Sequence, residues 1–198
     1  MIIGSISENK DIEKRVSITP EIAKKYINLG FEINLSENYG KHLGFEEKEY
    51  VELGVKFISD DKKLIENSDI IIQMSLLDDN NVTFLKSKQT LIGVLNPYEN
   101  KSKLESLAKK GVNLFSLELL PRITRAQSMD ILSSQANLAG YKAVLESFSI
   151  FEKAIPMMMT AAGTISAAKV LVVGAGVAGL QAIATAKRMG AIVFATDV

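Results

Sequence analysis

Val170-Leu171-Val172-Val173, followed by Gly174-Ala175-Gly176-Val177-Ala178-Gly179, decides the fold of the second part of this chain. The β-branched run predicts a buried strand, and three glycines with the spacing GxGxxG predict a tight turn that opens a helix. We expect this helix over about residues 178–189 and a further strand over 191–196. Strand, glycine turn, helix and strand in this order predict a βαβ unit of a dinucleotide-binding domain.

Each glycine has an expected task in such a unit. Gly174 would form the tight turn, Gly176 would let the backbone approach a pyrophosphate, and Gly179 would let the helix pack closely on the strand. The phosphates would lie at the helix N-terminus, where free N–H groups and the helix dipole attract anions. The alternative is a glycine turn that serves packing alone.

Asp197 lies 18 residues after Gly179, at the end of the next predicted strand. A carboxylate there can accept hydrogen bonds from ribose hydroxyls and would repel a 2′-phosphate, so we expect NAD(H) to be preferred over NADP(H). The predicted cofactor-binding residues are Gly174, Gly176, Val177, Ala178, Gly179, Asp197 and Val198.

The first 130 residues alternate between short apolar runs and amphipathic segments, which predicts a parallel sheet flanked by helices. Strands are expected at 2–6, 31–35, 55–58, 70–73, 90–95 and 112–116, and helices at 79–85 and 99–110. Another helix has both ends marked, by Thr19 as N-cap with Pro20 at its first position, and by Gly30.

Residues 133–151 are continuously compatible with a helix. We therefore predict an α/β protein with two parallel-sheet Rossmann-like domains joined by a long helix. The predicted divisions are an N-terminal α/β domain (1–132), a connecting helix (133–155) and the start of an NAD-binding Rossmann domain (156–198), truncated after its first βαβ unit. Residues 154–186 carry one charge, at Lys169, and are interpreted as strand, turn and helix instead of a membrane span.

Composition excludes several kinds of site. Lysine plus arginine number 23 and aspartate plus glutamate 23, so no basic excess favours nucleic acid as a partner. Cysteine is absent and His42 is the single histidine, so no metal site is predicted and a surface or capping role is expected for His42. Met157-Met158-Met159 is interpreted as core. No secretory signal precedes the first strand, and the cytoplasm is the expected compartment.

A polar segment, Pro121-Arg122-Ile-Thr-Arg-Ala-Gln127-Ser128-Met-Asp130-Ile-Leu-Ser133, follows a predicted strand end. Its side chains can fix a carboxamide and neutralise a diphosphate, but they offer no obvious proton donor or nucleophile, which suits positioning for hydride transfer. The alternative is a polar loop that caps the long helix through Ser128 or Asp130. The charged segment 10–20 could bind an acidic substrate, although a solvated loop is the favoured interpretation.

These motifs together resemble the alpha subunit of proton-translocating NAD(P) transhydrogenases, from segment 10–20 to Val198. The Arg122–Ser133 stretch is similar to the loop that contacts the nicotinamide of NAD(H) in that family, and residues 156–164 and 174–186 are similar to its next signatures. The resemblance implies that Arg122 and Gln127 orient the nicotinamide while Asp130 and Ser133 hold the loop. Gln73-Met74-Ser75, where a lysine is frequent, and Ser166, where proline is usual, depart from the pattern.

The resemblance also implies partners and a location. NADH held on this chain would transfer hydride to NADP⁺ on a partner domain, in the Si-specific/Re-specific proton-translocating type of reaction. Membrane-spanning partner subunits would couple this step to proton movement and hold the chain at the inner face of the cell membrane. Pairing of two alpha subunits is expected.

Alanine dehydrogenases are the alternative family, since they share the pattern Glu13, Arg15, Val16 and Pro20. They use a lysine after the fourth strand and a histidine after the fifth, where this chain has Gln73-Met74-Ser75 and Leu95-Asn96-Pro97. Oxidising an amino acid requires proton removal, whereas hydride exchange between two nicotinamides requires only close placement. An NAD-sensing module and a purely structural domain are the remaining alternatives.

Overall fold

The computed structural model describes residues 1–198, which form two compact units, Met1–Leu120 and Pro121–Val198. Both units contain parallel strands and helices, as the predicted α/β class requires. The domain boundary predicted at 132/133 and the separate connecting helix stay predictions. In the structure the division falls after Leu120, and the long helix lies inside the second unit.

The first unit is built on a six-stranded sheet whose neighbouring strands are all parallel. Its strands are β1 (Ile2–Ser5), β2 (Glu32–Ser36), β3 (Lys56–Ile58), β4 (Ile70–Ser75), β5 (Thr90–Val94) and β6 (Asn113–Ser116). Their order, β3-β2-β1-β4-β5-β6, confirms the Rossmann-like parallel sheet. The order reverses between β1 and β4, and such a switch point opens a crevice at the carboxyl ends of the two strands.

Apolar side chains cover both faces of this sheet. Successive residues of a strand point to opposite faces, so Ile71 packs in one core while Ile70 and Ile72 pack in the other. The helices of the unit are α1 (Pro20–Asn28), α2 (Glu47–Val51), α3 (Asp61–Glu66) and α4 (Lys101–Lys109). Ala23 of α1 and Tyr50 of α2 belong to one core, and Leu64 of α3 belongs to the other.

Helix α1 has the predicted ends. The Thr19 hydroxyl accepts a hydrogen bond from the Ile22 amide at 3.4 Å, Pro20 is the first helical residue, and Gly30 has a φ of 89°. The helix predicted at 79–85 is wrong, because the chain forms only a 3-10 helix at Asn81–Phe84. The Asp78 carboxylate accepts from the amides that follow it, at Asn80 and Asn81, and such local bonds compete with an α-helix.

The second unit contains two small sheets and two helices. Its elements are α5 (Ile131–Ile150), β7 (Met158–Thr160), β8 (Gly163–Ile165), β9 (Lys169–Val173), α6 (Val177–Arg188) and β10 (Ile192–Thr196). Strands β9 and β10 are parallel and joined by α6, whereas β7 and β8 form an antiparallel hairpin that the sequence did not predict. Helix α5 ends at Ile150, before the predicted limit of 155.

The prediction that Met157-Met158-Met159 is core is wrong. These side chains are 60%, 47% and 73% exposed. Met158 and Met159 lie on β7 of the hairpin, whose six strand residues are all exposed, and Met157 directly precedes it. No helix of the chain combines the length and the apolar character that crossing a bilayer requires.

A buried hydroxyl, that of Tyr39, joins three parts of the first unit. It lies 2.9 Å from the Ser5 hydroxyl and accepts from the amides of Ser17 and Ile18, at 3.0 and 3.2 Å. The Tyr39 side chain is 1% exposed. The hydroxyl therefore fixes the end of the loop that connects β1 to α1.

Replacing Tyr39 with phenylalanine should destabilise the first unit, because the buried Ile18 amide and the half-buried Ser17 amide would lose their acceptor. We expect Tyr39→Phe to lower the free energy of unfolding by about 1–3 kcal/mol in urea titrations. Tyr98→Phe is the control, since Tyr98 is 88% exposed and its change should stay within about 0.5 kcal/mol. Equal effects of the two substitutions would contradict this assignment.

Candidate nucleotide-binding site

The glycine turn of the second unit begins where β9 ends. Gly174 has a φ of 96°, a conformation that L-residues with a side chain rarely adopt. A Cβ on Gly179 would lie 1.8 Å from the carbonyl oxygen of Gly174, so α6 can begin directly under the turn only with glycine there. A Cβ on Gly176 would meet nothing within 4 Å, so the outer side of the turn is open.

Asp197 follows β10 and reaches back to this turn. Its carboxylate accepts hydrogen bonds from the Ala175 amide, at 2.5 Å, and from the Val198 amide, at 2.7 Å. These bonds, chiefly that from Ala175, lower the pKa of Asp197 below its ordinary value. The carboxylate is therefore ionised and adjacent to the turn at neutral pH.

A cleft of about 400 Å³ lies beside the turn, within the second unit. Its lining comprises Arg122, Leu132, Ser133 and Ala136 on one side and Val173, Gly174 and Gly176–Gly179 on the other. Arg122, expected at the nicotinamide, and Ser133, expected to hold the polar segment, thus share a cleft with the glycines expected at the pyrophosphate.

Further side chains of the polar segment line a neighbouring cavity of about 190 Å³. It is lined by Arg122, Ile123, Thr124, Gln127 and Asp130. Arg122 lines both spaces, whereas Gln127 and Asp130 line only the second. Gln127 lies on a 3-10 helix, Thr124–Met129, that leads into α5.

Asp130 is the N-cap of α5, which is the structural role that the sequence left open for it. Its carboxylate accepts from the amide of Ser133 at 2.9 Å and from the hydroxyl of Ser133 at 2.6 Å. The hydroxyl bond, followed by the amide bond, lowers the pKa of Asp130. The Asp130–Ser133 pair thereby fixes the junction between the polar segment and α5.

Gly140 was not predicted as a functional residue, although it determines how α5 packs. It is buried, and a Cβ there would lie 2.0 Å from the carbonyl oxygen of Ala178. Asn137 on α5 also donates a hydrogen bond to Gln181 on α6, at 3.2 Å. The signal in the sequence is a glycine inside a long helix, where it costs about 1 kcal/mol relative to alanine unless packing requires it.

Two charges of segment 10–20, Glu13 and Arg15, pair with each other. The guanidinium of Arg15 pairs with Glu13 at 2.5 Å, which raises the pKa of Arg15 and lowers that of Glu13. His42 is exposed, and its Nε2 lies 2.6 Å from the carbonyl oxygen of Lys14, in agreement with the expected surface role.

Comparison with known proteins decides the family. A family model described as "Alanine dehydrogenase/PNT, N-terminal domain" matches residues 4–139, and the corresponding C-terminal domain model matches residues 143–198. The chain belongs to the alanine dehydrogenase/PNT family. Within this family it is similar to transhydrogenase proteins, as the sequence motifs predicted.

Three relatives give the degree of similarity. An NAD(P) transhydrogenase subunit alpha of Rickettsia prowazekii is 46% identical over 202 residues, which cover all of this chain and 53% of that protein. The structure of a transhydrogenase from Sinorhizobium meliloti matches with a TM-score of 0.94 and 42% identity, covering 100% of this chain and 57% of the other. An L-alanine dehydrogenase structure shares the fold, with a TM-score of 0.81 and 20% identity over 96% of this chain and 53% of the other. The chain thus spans about half the length of the curated relatives it matches.

Gly140→Ala should destabilise the second unit, although alanine is the better helix former. The added methyl group would contact the Ala178 carbonyl and force α5 and α6 apart, at a cost of about 1–3 kcal/mol in the free energy of unfolding. Ala139→Gly, at the exposed neighbouring position, measures the propensity effect alone, about 1 kcal/mol. A gain in stability from Gly140→Ala in urea unfolding would refute the close approach.

Ser133→Ala should raise the pKa of Asp130 towards its ordinary value, because the hydroxyl bond is the main cause of the lowered pKa. A lowered carboxyl pKa stabilises the fold above the unfolded pKa of about 3.9, and this stabilisation is lost as the pH falls through the folded pKa. Carbon-13 NMR titration of Asp130 measures the change. Ser134→Ala is the control, since that hydroxyl donates to the Ile131 carbonyl and should leave the pKa of Asp130 unaltered.

Proposed function

We propose that this chain is the NAD(H)-binding component of a proton-translocating transhydrogenase. The observation that carries the proposal is the shared cleft in which Arg122 and Ser133 face the glycine turn. NADH bound there supplies a hydride, and NADP⁺ on a partner domain is the proposed acceptor. The 46% and 42% identities to transhydrogenase proteins, against 20% to an L-alanine dehydrogenase, support this activity within the family.

The glycine turn fits a pyrophosphate. The open space outside Gly176 gives phosphate oxygens access to the backbone, and the first amides of α6, at Val177 and Ala178, lack helical partners. Helix dipole and amides act together on an anion at this point. A side chain at Gly176 would enter this space.

Asp197 would select the nucleotide. Its carboxylate lies at the turn and retains lone pairs that can accept from ribose hydroxyls while Ala175 holds it in place. A phosphate on the 2′ position would bring a second negative charge against it. That charge favours NAD(H) over NADP(H) on this chain.

The polar segment would place the nicotinamide. Arg122 lies in the cleft itself, and Gln127 lines the cavity next to it, so their side chains can orient the carboxamide. The Asp130–Ser133 cap holds the segment against α5. None of these groups is needed as a base, because hydride exchange between two nicotinamides releases no proton at the reacting carbons.

The intact assembly is part of the same proposal. We expect membrane-spanning and NADP(H)-binding subunits as partners, a second copy of the alpha subunit, and attachment to the inner face of the cell membrane through those partners. The word "subunit" in the name of the Rickettsia prowazekii relative supports the existence of further components.

Removing the carboxylate of Asp197 should weaken NADH binding. A charged hydrogen bond contributes about 1.5–3 kcal/mol, so we expect Asp197→Ala in the full gene product to raise the Kd for NADH about tenfold or more in fluorescence titrations. The Kd for NADPH should rise less or fall. Asp60→Ala, a helix cap in the first unit, is the control. Unchanged NADH affinity would remove Asp197 from the site.

The activity is tested with the full gene product mixed with an NADP(H)-binding partner domain. NADH-dependent reduction of an NADP⁺ analogue should occur and should be lost in Gln127→Ala, with retained NADH binding showing that the nucleotide site is intact. Oxidation of NADH only with pyruvate plus ammonium would show an alanine dehydrogenase instead. Binding of NADH with neither reaction would favour an NAD-sensing module.

A further inference from the structure

A hydrogen bond between α5 and α6 lies one helical turn away from the cleft of the second unit. Asn137 Nδ2 donates to Gln181 Oε1 at 3.2 Å, although the two residues are 44 positions apart in the chain. Asn137 comes four residues after Ser133, and Gln181 comes four residues after Val177, and both preceding residues line the cleft. Residues four apart lie on the same side of a helix, about 6 Å apart along its axis. The bond therefore joins the two walls of the cleft close to its floor.

Thr185 fixes the orientation of the Gln181 amide. The Thr185 hydroxyl donates its proton to the main-chain carbonyl oxygen of Gln181 at 2.8 Å, so its own oxygen can only accept. Gln181 Nε2 donates to that oxygen at 3.1 Å, which leaves Oε1 for α5. Thr185 is 5% exposed, so this arrangement is held inside the unit. Gln181 thus presents an acceptor to α5, and Asn137 supplies the matching donor.

The packing of the two helices does not provide the same directional constraint. Gly140 lets α5 approach the Ala178 carbonyl oxygen, and this contact sets how close the helix axes can lie. Dispersion contacts have little dependence on direction, whereas a hydrogen bond weakens steeply when its angle departs from linearity. The bond between Asn137 and Gln181 therefore restricts rotation and sliding of α5 on α6 more sharply than the packing alone.

The position of α5 on α6 also sets the separation between the two sides of the cleft. Ser133 belongs to α5, and the Asp130–Ser133 cap ties the polar segment with Arg122 to the start of that helix. The glycine turn, on the other side, leads directly into α6. A dinucleotide with its pyrophosphate at the turn and its nicotinamide at the polar segment has to match this separation. Misplacing a reacting group by about 1 Å can reduce a rate about a hundredfold.

We propose that Asn137 and Gln181 are positioning residues for hydride transfer, because their hydrogen bond holds the polar segment at the distance from the glycine turn that one dinucleotide requires. Neither residue lines the cleft, so both act through the helices that carry them. The inference rests on the proposed function. It predicts that the bond acts on the nicotinamide end of the nucleotide and not on the end bound by the turn and Asp197.

The test compares two ligands on the full gene product. NADH carries the nicotinamide, whereas ADP-ribose has the same adenosine, pyrophosphate and second ribose without it. Asn137→Leu keeps the branched shape of the side chain and removes the donor. We expect this substitution to raise the Kd for NADH about three- to tenfold in calorimetric titrations. The Kd for ADP-ribose should change by less than about twofold.

The rate provides a second readout. At saturating NADH, kcat for reduction of an NADP⁺ analogue should fall about tenfold in Asn137→Leu, because the nicotinamide is bound but misplaced. Gln181→Met removes the same bond from the other helix. The double variant, Asn137→Leu with Gln181→Met, should therefore lose no more than the more affected single variant. Additive losses would overturn the proposal.

Lys142→Ala is the matched control on α5. Lys142 pairs with Glu146 on an exposed part of the same helix and does not reach α6, so its removal should leave both Kd values and kcat unaltered. Equal weakening of NADH and ADP-ribose by Asn137→Leu would show a structural role and contradict the proposal, as would unchanged NADH affinity with unchanged kcat. If Asn137→Leu does not fold, Gln181→Met should show the same difference between the two ligands. Failure of both variants to fold would also show a structural role.

The outcomes separate this inference from the proposed function. The comparison of NADH with ADP-ribose needs neither NADP⁺ nor a partner domain, so a difference between the two ligands supports the positioning role even if transhydrogenation fails. Transhydrogenation by the wild-type protein, without such a difference in Asn137→Leu, removes the positioning role alone. Absence of NADH binding to the wild-type protein removes both.

Discussion

The candidate site depends on two close approaches of backbone that only glycine permits. At Gly179, an ideal Cβ would lie 1.8 Å from the Gly174 carbonyl oxygen, and at Gly140 it would lie 2.0 Å from the Ala178 carbonyl oxygen. The first approach shapes the turn, and the second brings the long helix to the start of α6. Because α5 carries Ser133 and is preceded by Arg122, the same packing brings the polar segment to the turn. A larger side chain at Gly179 would distort the turn, and one at Gly140 would separate the two halves of the cleft.

In the first unit, carboxylates of the chain accept hydrogen bonds from the backbone amides at two strand ends. Glu8 binds the amides at the end of β4, and Glu118 accepts from the amides of Leu95 and Asn96 after β5. Here neutral residues stand at both ends, and the backbone donors are bound by acidic side chains.

The local features of the fold could be predicted because their causes are local. The turn at Gly174, the helix between Thr19 and Gly30, and the parallel strands follow from residue spacing and from conformational limits of glycine and proline. The Asp197 carboxylate was expected at the turn because the next strand of a βαβ unit ends there. The 3-10 helix at Asn81–Phe84 was missed because the Asp78 carboxylate binds the amides that follow it, in competition with an α-helix. The exposed methionine hairpin was missed because an apolar pattern alone does not show whether a partner surface exists.

Contacts between distant segments could not be predicted from the sequence. Glu8 reaches Ser75 across 67 positions, and Gly140 meets Ala178 on another helix, and neither pairing leaves a periodic signal. The sequence also gives no sign that Gln127 lines a second cavity and not the cleft beside the glycine turn. At both places the sequence contains a residue without an evident local role: Glu8 in the loop after β1, and Gly140 inside α5. The role of each is visible only in its three-dimensional contacts.

In the proposed function, the glycine turn and the polar segment form one NAD(H) site. The most direct measurement of this is a nitrogen-15 chemical-shift titration of the full gene product with NADH. We expect the Val177 and Ala178 amides and the side-chain nitrogens of Arg122 and Gln127 to shift together, with a single dissociation constant. Shifts confined to the turn, or a different constant for the polar segment, would contradict a single site.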